Sequence, residues 1–433
     1  MGAQFSTGRD RPTARTKEKS TPMALPSPSL SAASALARGA VQLALPLPRA
    51  AARQAATLAR REAERAGVAS VKAGANVGER VFRGRFADTR LSPHTVVLDE
   101  PHCQVRRHDP ADRTHTTPIV LVPPLGGSAR VYDIRRGASM AQALADAGFR
   151  VYVLDYGSIG MADRNLDLAA FVDGYVARTV EVASDDCGGV PVVLGGWCAG
   201  GIFTALYATS RVARRRVAGL ALLASPLDPS RGHPLYPLAG LPVTEAALRL
   251  ARQTGLPAPV VSWMFKLTSP VKQVTKPLTL LRNLDDREFL VHFESLSEYV
   301  DAFAAYPGEA GFQLVRGLLD GAVQDGSMRI GGRRADVRRI SVPVLVVAGT
   351  TDVLAPAACV QAWTEVLANS EYHVIKGGHL GVMAGRGAPA STWKLLEDFA
   401  TRIDAQSQAA VQRPVVVKPR ARRRSAAERR AAA

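Results

Sequence analysis

Val192-Val193-Leu194-Gly195-Gly196-Trp197-Cys198-Ala199-Gly200-Gly201-Ile202-Phe203 is a short apolar run that ends in two glycines. A cysteine stands at its turn, and a second apolar stretch opens behind two more glycines. The pattern predicts strand, tight turn and helix, with Cys198 at the apex of a Gly-x-nucleophile-x-Gly elbow. A nucleophile on so sharp a turn crowds the residues two before and two after it, so Gly196 and Gly200 stand where a side chain would clash. The helix behind Cys198 aims its first N–H groups and its positive dipole end at the sulfur. A free thiol titrates near 8.5, and a helix start with a partner histidine lowers that to roughly 3.5–7.5. A structural cysteine beside a glycine turn shares the local pattern. The strand before it and the helix after it favour the catalytic reading.

Working outward, the same alternation recurs. Val96-Val97-Leu98 and Cys103–Arg107 suggest an antiparallel start. Apolar strands are expected at Pro118–Val122, Arg150–Asp155, Pro191–Leu194, Ala218–Ala224, Val342–Val347 and Tyr372–Ile375. Helices are expected at Ala138–Ala147, Leu168–Ala183, Cys198–Ser210, Pro356–Leu367 and Thr392–Ile403. Apolar strands alternating with amphipathic helices mean a mostly parallel sheet covered on both faces. The alternation lapses for about 115 residues after Ser225-Pro226, where prolines and aromatics gather, which suggests an inserted, mainly helical cap.

Two further residues turn the elbow into a site. Val344–Val347 leads through Gly349-Thr350-Thr351 to Asp352, and Tyr372–Ile375 leads through Gly377-Gly378 to His379. Nucleophile, acid and base then follow in the order of the α/β-hydrolase fold, each just past the carboxyl end of a strand, where one sheet edge gathers them. His379 is expected to take the thiol proton and Asp352 to fix its tautomer. The N–H of Ala199 and that of Leu125, in the loop Pro124-Leu125-Gly126, are the expected oxyanion hole. No phosphate loop, dinucleotide fingerprint or metal-ligand spacing is present, so neither a bound cofactor nor a metal is expected.

The net charge of +17 is confined to the flanks. Residues 1–90 hold 16 Lys/Arg against 6 Asp/Glu, residues 405–433 hold 8 against 1, and residues 91–404 hold 31 of each. Expected divisions are a disordered segment 1–30, a helical basic arm 31–90, a core in two parts (91–225 and 341–404), a cap 226–340 and a disordered basic tail 405–433. In the arm, helices are expected at Ser31–Leu45 and Arg49–Ala66, which pack on their own domain or lie on a lipid or anionic surface. Four scattered cysteines suit a reducing, cytoplasmic setting. No uncharged apolar run reaches the 18 or so residues that span a bilayer. Met1–Ser6 fits the loose N-myristoylation pattern and is read as coincidence. Aromatics are few among the charges of the basic flanks (Phe5, Phe82 and Phe86), so no specific nucleic-acid recognition is expected.

These stretches together resemble the polyhydroxyalkanoate synthases within the α/β-hydrolase fold. Pro123-Pro124 leading to Tyr132-Asp133-Ile134-Arg135, the box Gly196–Gly201, Asn283-Leu284-Asp285-Asp286, Tyr306-Pro307-Gly308, Gly349–Asp352 and Gly378-His379 carry the resemblance, over about residues 95–403. It implies a 3-hydroxyacyl-coenzyme A thioester as substrate, with no other cofactor and with the growing chain on Cys198. A polymer granule or lipid surface, a second copy and a partner subunit are the partners the resemblance leaves open. Departures fall at the rim of the site: Leu380–Arg386 replaces a longer apolar stretch after the histidine, and Tyr156 stands where a tryptophan is usual. A lipase, esterase or thioesterase with the same triad is the alternative, and a non-catalytic binder of lipid or polymer surfaces the third reading.

Overall fold

The computed structural model describes residues 49–267 and 278–412. The chain divides into two units, Met1–Ala69 and Ser70–Ala433. The first contributes the start of helix α1 (Arg49–Arg83), where Arg60 and Glu64 pair at 2.9 Å one turn apart. Expectations for residues 1–30 and Ser31–Leu45 lie outside the described residues. Among the described residues, no helix is long and apolar enough to cross a membrane.

The second unit is built on eight strands: β1 (Thr95–Glu100), β2 (Cys103–His108), β3 (Ile119–Val122), β4 (Val151–Asp155), β5 (Val192–Trp197), β6 (Val217–Leu223), β7 (Val344–Gly349) and β8 (Ser370–Ile375). They lie in the order β1-β2-β4-β3-β5-β6-β7-β8. β2 runs antiparallel to both its neighbours, and every later pair is parallel. Every residue of β3, β4, β5 and β7 is buried, as strands covered on both faces require. Alternation divides the core. Val120, Leu194 and Val346 pack with Phe203 on one face, and Ile119, Val193 and Leu345 pack with Phe399 on the other.

Helices α2 (Met140–Asp146), α3 (Ala177–Asp186) and α4 (Ala199–Ala208) connect the early strands. Between β6 and β7 the chain forms α5 (Pro242–Thr254), α6 (Ala258–Leu267), α7 (Arg287–Asp301) and α8 (Gly308–Leu319), then a short ribbon of Arg329–Ile330 and Arg333–Arg334. Asp286 caps α7 by accepting from the Phe289 amide at 2.9 Å. Backbone bonds tie this segment to the loops after β3 and β4: the Ala304 amide donates to Gly126 O (2.8 Å) and the Ala305 amide to Ile159 O (3.3 Å).

Several boundaries differ from expectation. α1 continues past Ala66 to Arg83 because its last turns are clamped by α7. Arg287 forks onto Glu79 at 2.8 and 2.9 Å, and Glu294 accepts the amides of Phe86 and Ala87 just beyond the helix. The tail expected to be disordered from residue 405 begins as helix, since α9 (Lys394–Gln412) runs through that point. Asp404 anchors it by accepting the amides of Thr116 and Thr117 at the entry to β3 (3.0 and 2.8 Å). Residues 413–433 lie outside the described residues. The helix expected over Pro356–Leu367 is two short ones, Ala357–Gln361 and Trp363–Val366.

Candidate active site

β5 does not stop at Leu194 but stays extended through both glycines, pairing Gly195, Gly196 and Trp197 with Ala221, Leu222 and Leu223 of β6. Cys198 then takes φ 54° and ψ −124°, a conformation that costs a non-glycine residue of order 1–3 kcal/mol and persists where its surroundings enforce it. The surroundings do so here. A Cβ on Gly196 would lie 2.4 Å from the carbonyl carbon and oxygen of Gly200, and one on Gly200 would lie 2.3 Å from Val122 O. The Cys198 amide donates to Leu223 O at 2.9 Å. The hydroxyl of Tyr132, wholly buried, accepts from the Trp197 amide (3.0 Å) and donates to Val122 O (2.7 Å), riveting the elbow to the end of β3.

Asp352 lies three residues beyond β7 and His379 four beyond β8. The two loops are stitched together, with the Thr350 amide on Ile375 O and the Thr351 amide on Gly377 O, both at 2.9 Å. Both side chains are buried, and His379 Nδ1 lies 2.8 Å from Asp352 Oδ2. Asp352 Oδ1 accepts the amides of Leu354 (2.9 Å) and Ala355 (2.8 Å), so the carboxylate cannot turn. A carboxylate only accepts, so Nδ1 carries the proton and Nε2 keeps its lone pair for the thiol. The charge of Cys198 acts on the imidazole, as that of Asp352 does. Burial disfavours the imidazolium, but the charges of Cys198 and Asp352 outweigh it and raise His379 to about 10. Trp197 backs the ring at 4.9 Å between centroids and Phe265 faces it at 6.3 Å.

Ala199 opens α4, where first-turn N–H groups lack intrahelical acceptors. Leu125 is buried two residues beyond Pro123, whose carbonyl oxygen would lie 2.8 Å from a Cβ on Gly200. The structure therefore brings the helix start and the β3 loop together. Residues between β6 and β7 close over that loop. A Cβ on Gly126 would strike the Tyr306 ring at 2.2 Å, and one on Gly127 would lie 2.8 Å from the Tyr299 hydroxyl.

A cavity of about 400 Å³ opens beside His379, walled by Phe265, Phe289, His292, Phe293 and Leu296. A larger depression of about 940 Å³, lined by arginines such as Arg211 and Arg214, includes no triad residue. Of the two, the smaller cavity adjoins His379. Among the described residues, no group of His, Cys, Asp and Glu is arranged to hold a metal ion. Sequence reasoning missed Tyr132 and Tyr299 as parts of the site. Both lie far along the chain from the elbow, and although Tyr132 falls in a stretch that carries the family resemblance, no local pattern ties either to Cys198.

The fold and the site define the class. Residues 117–385 match the model of the alpha/beta hydrolase fold family, and the chain belongs to it. It is an enzyme of that superfamily. Among curated proteins the chain is similar to the poly(3-hydroxyalkanoate) polymerase subunit PhaC of Haloferax mediterranei, at 25% identity over 72% of this chain and 64% of the relative, so the match spans just under two thirds of that protein. The subunit of the same name from Allochromatium vinosum is 25% identical over 70% of this chain and 87% of the relative. Among solved structures, a thermophilic esterase from Thermogutta terrifontis is similar at 19% identity and a TM-score of 0.43, covering 73% of this chain and 99% of that one.

Proposed function

We propose that the protein is an acyltransferase of the polyhydroxyalkanoate synthase type, acting on 3-hydroxyacyl-coenzyme A thioesters through an acyl-cysteine. The observation that carries this reading is a cysteine, not a serine, at the elbow, whose charge acts on the imidazole of a buried His–Asp pair. A thiolate that attacks a thioester makes another thioester at nearly equal energy, so the acyl group stays transferable. The relatives, named as poly(3-hydroxyalkanoate) polymerase subunits, support a 3-hydroxyacyl group as the unit transferred.

In the first half-reaction the thiol proton passes to His379 Nε2 and the sulfur bonds to the thioester carbonyl carbon. The Ala199 and Leu125 amides hold the carbonyl oxygen as it becomes anionic. The carbon–sulfur bond to coenzyme A then breaks, and His379 returns the proton to the departing thiolate. In the second, His379 takes a proton from an acceptor hydroxyl whose oxygen attacks the acyl carbon. The bond to Cys198 breaks and the sulfur regains a proton. Asp352 holds the imidazolium and its tautomer in both. In this reading residues 91–225 and 341–404 are the catalytic core, 226–340 its cap, and the protein works in the cytoplasm at the surface of its insoluble product.

Hydrolysis is the second reading, since water can replace the hydroxyl at the same triad. Incubation with 3-hydroxybutyryl-coenzyme A separates the two. Coenzyme A release matched by insoluble polyester supports transfer, and release matched by free 3-hydroxybutyrate supports a thioesterase.

A further inference from the structure

Tyr299, on α7, is 3% exposed, and its hydroxyl has no hydrogen-bond partner among the described residues. A buried hydroxyl left unpaired costs roughly 1–3 kcal/mol, so its place needs a reason. It belongs to neither the triad nor the fold's hydrogen-bonded frame. The hydroxyl meets Gly127 of the loop after β3, at 2.8 Å from where a Cβ would stand. The phenol ring packs 6.5 Å from Trp197, the residue before the nucleophile, and 5.3 Å from Phe303. Burial, with the neighbouring charges of Tyr132 and Cys198, pushes the phenol well above its ordinary value, so it stays a proton donor.

A neutral O–H donor without an acceptor among the described residues, fixed between the ring of Trp197, the residue before the nucleophile, and that of Phe303 and set against the loop after β3, matches what a developing oxyanion requires. Such a donor acts in a site closed to water and needs no rearrangement as charge appears. We propose that Tyr299 donates a hydrogen bond to the oxygen of the acyl group's carbonyl as it becomes anionic, adding a donor from the cap to those of Ala199 and Leu125. The assignment rests on the acyl-transfer reading. It makes the cap part of the catalytic apparatus and not only its cover. No bond to Tyr299 is made or broken, and its proton remains on the phenol oxygen.

The test compares the full chain with Tyr299→Phe, which removes one oxygen and keeps the ring. Three readings are taken: the single-turnover rate of acylation of Cys198 by saturating 3-hydroxybutyryl-coenzyme A, the rate of alkylation of Cys198 by iodoacetamide, and the urea midpoint. Alkylation needs the same thiolate but develops no oxyanion. Acylation is expected to fall by about 10- to 100-fold. The half-saturating thioester concentration and the alkylation rate should hold within about twofold, and the urea midpoint should stay level or rise, because an unpaired buried hydroxyl has been removed. Unchanged acylation overturns the proposal. So does an equal fall in acylation and alkylation, which would mean that Tyr299 positions the thiol or His379. If the wild-type chain alkylates normally but takes no acyl group, the acyl-transfer reading fails and the proposal with it. If wild-type acylates and only the variant comparison comes out flat, the proposal alone falls.

Discussion

Replacing Asp352 by Asn probes the triad without disturbing its frame. Oδ1 keeps the Leu354 and Ala355 amides at 2.9 and 2.8 Å, so the side chain stays where it is. The other end changes from an acceptor to an NH₂ group facing Nδ1 across 2.8 Å. Two N–H groups cannot share that contact, so the imidazole must move its proton to Nε2, the nitrogen the thiol needs empty. The imidazolium also loses one of the charges that lift His379. The matching change in a serine triad lowers kcat by about 10⁴. A thiol is more acidic than a hydroxyl, so we expect a loss of about 10²–10³ in the acylation rate, or ~3–4 kcal/mol in the barrier. Stability should fall by about 1.5–3 kcal/mol, the worth of a hydrogen bond to a charged group. Single-turnover mass spectrometry and urea denaturation measure the two. Retention of more than about a tenth of the wild-type rate would refute the reasoning, as would a loss of activity that merely tracks unfolding.

Further outcomes follow from the same geometry. His379→Gln removes the base that takes the thiol proton, so the acylation rate of Cys198 should fall by about 10²- to 10⁴-fold in single-turnover mass spectrometry; an unchanged rate would remove His379 from the chemistry. The imidazolium's stabilisation is fully present below the ordinary histidine value of about 6.5 and is lost as pH rises through about 10. The wild-type melting temperature should therefore fall over that window by more than that of His379→Gln. Tyr132→Phe leaves the Trp197 amide and Val122 O without their shared partner, and should cost roughly 2 kcal/mol in chemical denaturation. An unchanged midpoint would show that the bridge is incidental.

Much of this was legible in the sequence because the constraint is local. Gly196 and Gly200 announce a turn whose clash distances the structure measures, and Asp352 and His379 each sit just past an apolar run. Even there the glycines misled in part. Gly195 and Gly196 suggested a turn, yet both remain in β5, because the close approach that Gly196 permits is to α4 and not to a bend in the strand. What could not be read depends on contacts between distant segments. Glu79 with Arg287 lengthens α1, and Asp404 with Thr116 and Thr117 carries α9 past the expected boundary. Tyr132 lies in a stretch that carries the family resemblance, but nothing in it marks a tie to the elbow, and Tyr299 is one aromatic among several in the cap; only the fold brings both to Trp197. His379 was found by its place after a strand; His292, on the cavity wall, had no such signal.

The central claim is that the sulfur of Cys198 takes the acyl group. Intact-mass and peptide-mapping mass spectrometry after brief exposure to 3-hydroxybutyryl-coenzyme A tests it most directly. The account predicts one acyl increment on the peptide bearing Cys198, absent in Cys198→Ala. No increment, or one carried on Cys103, Cys187 or Cys359, would contradict it.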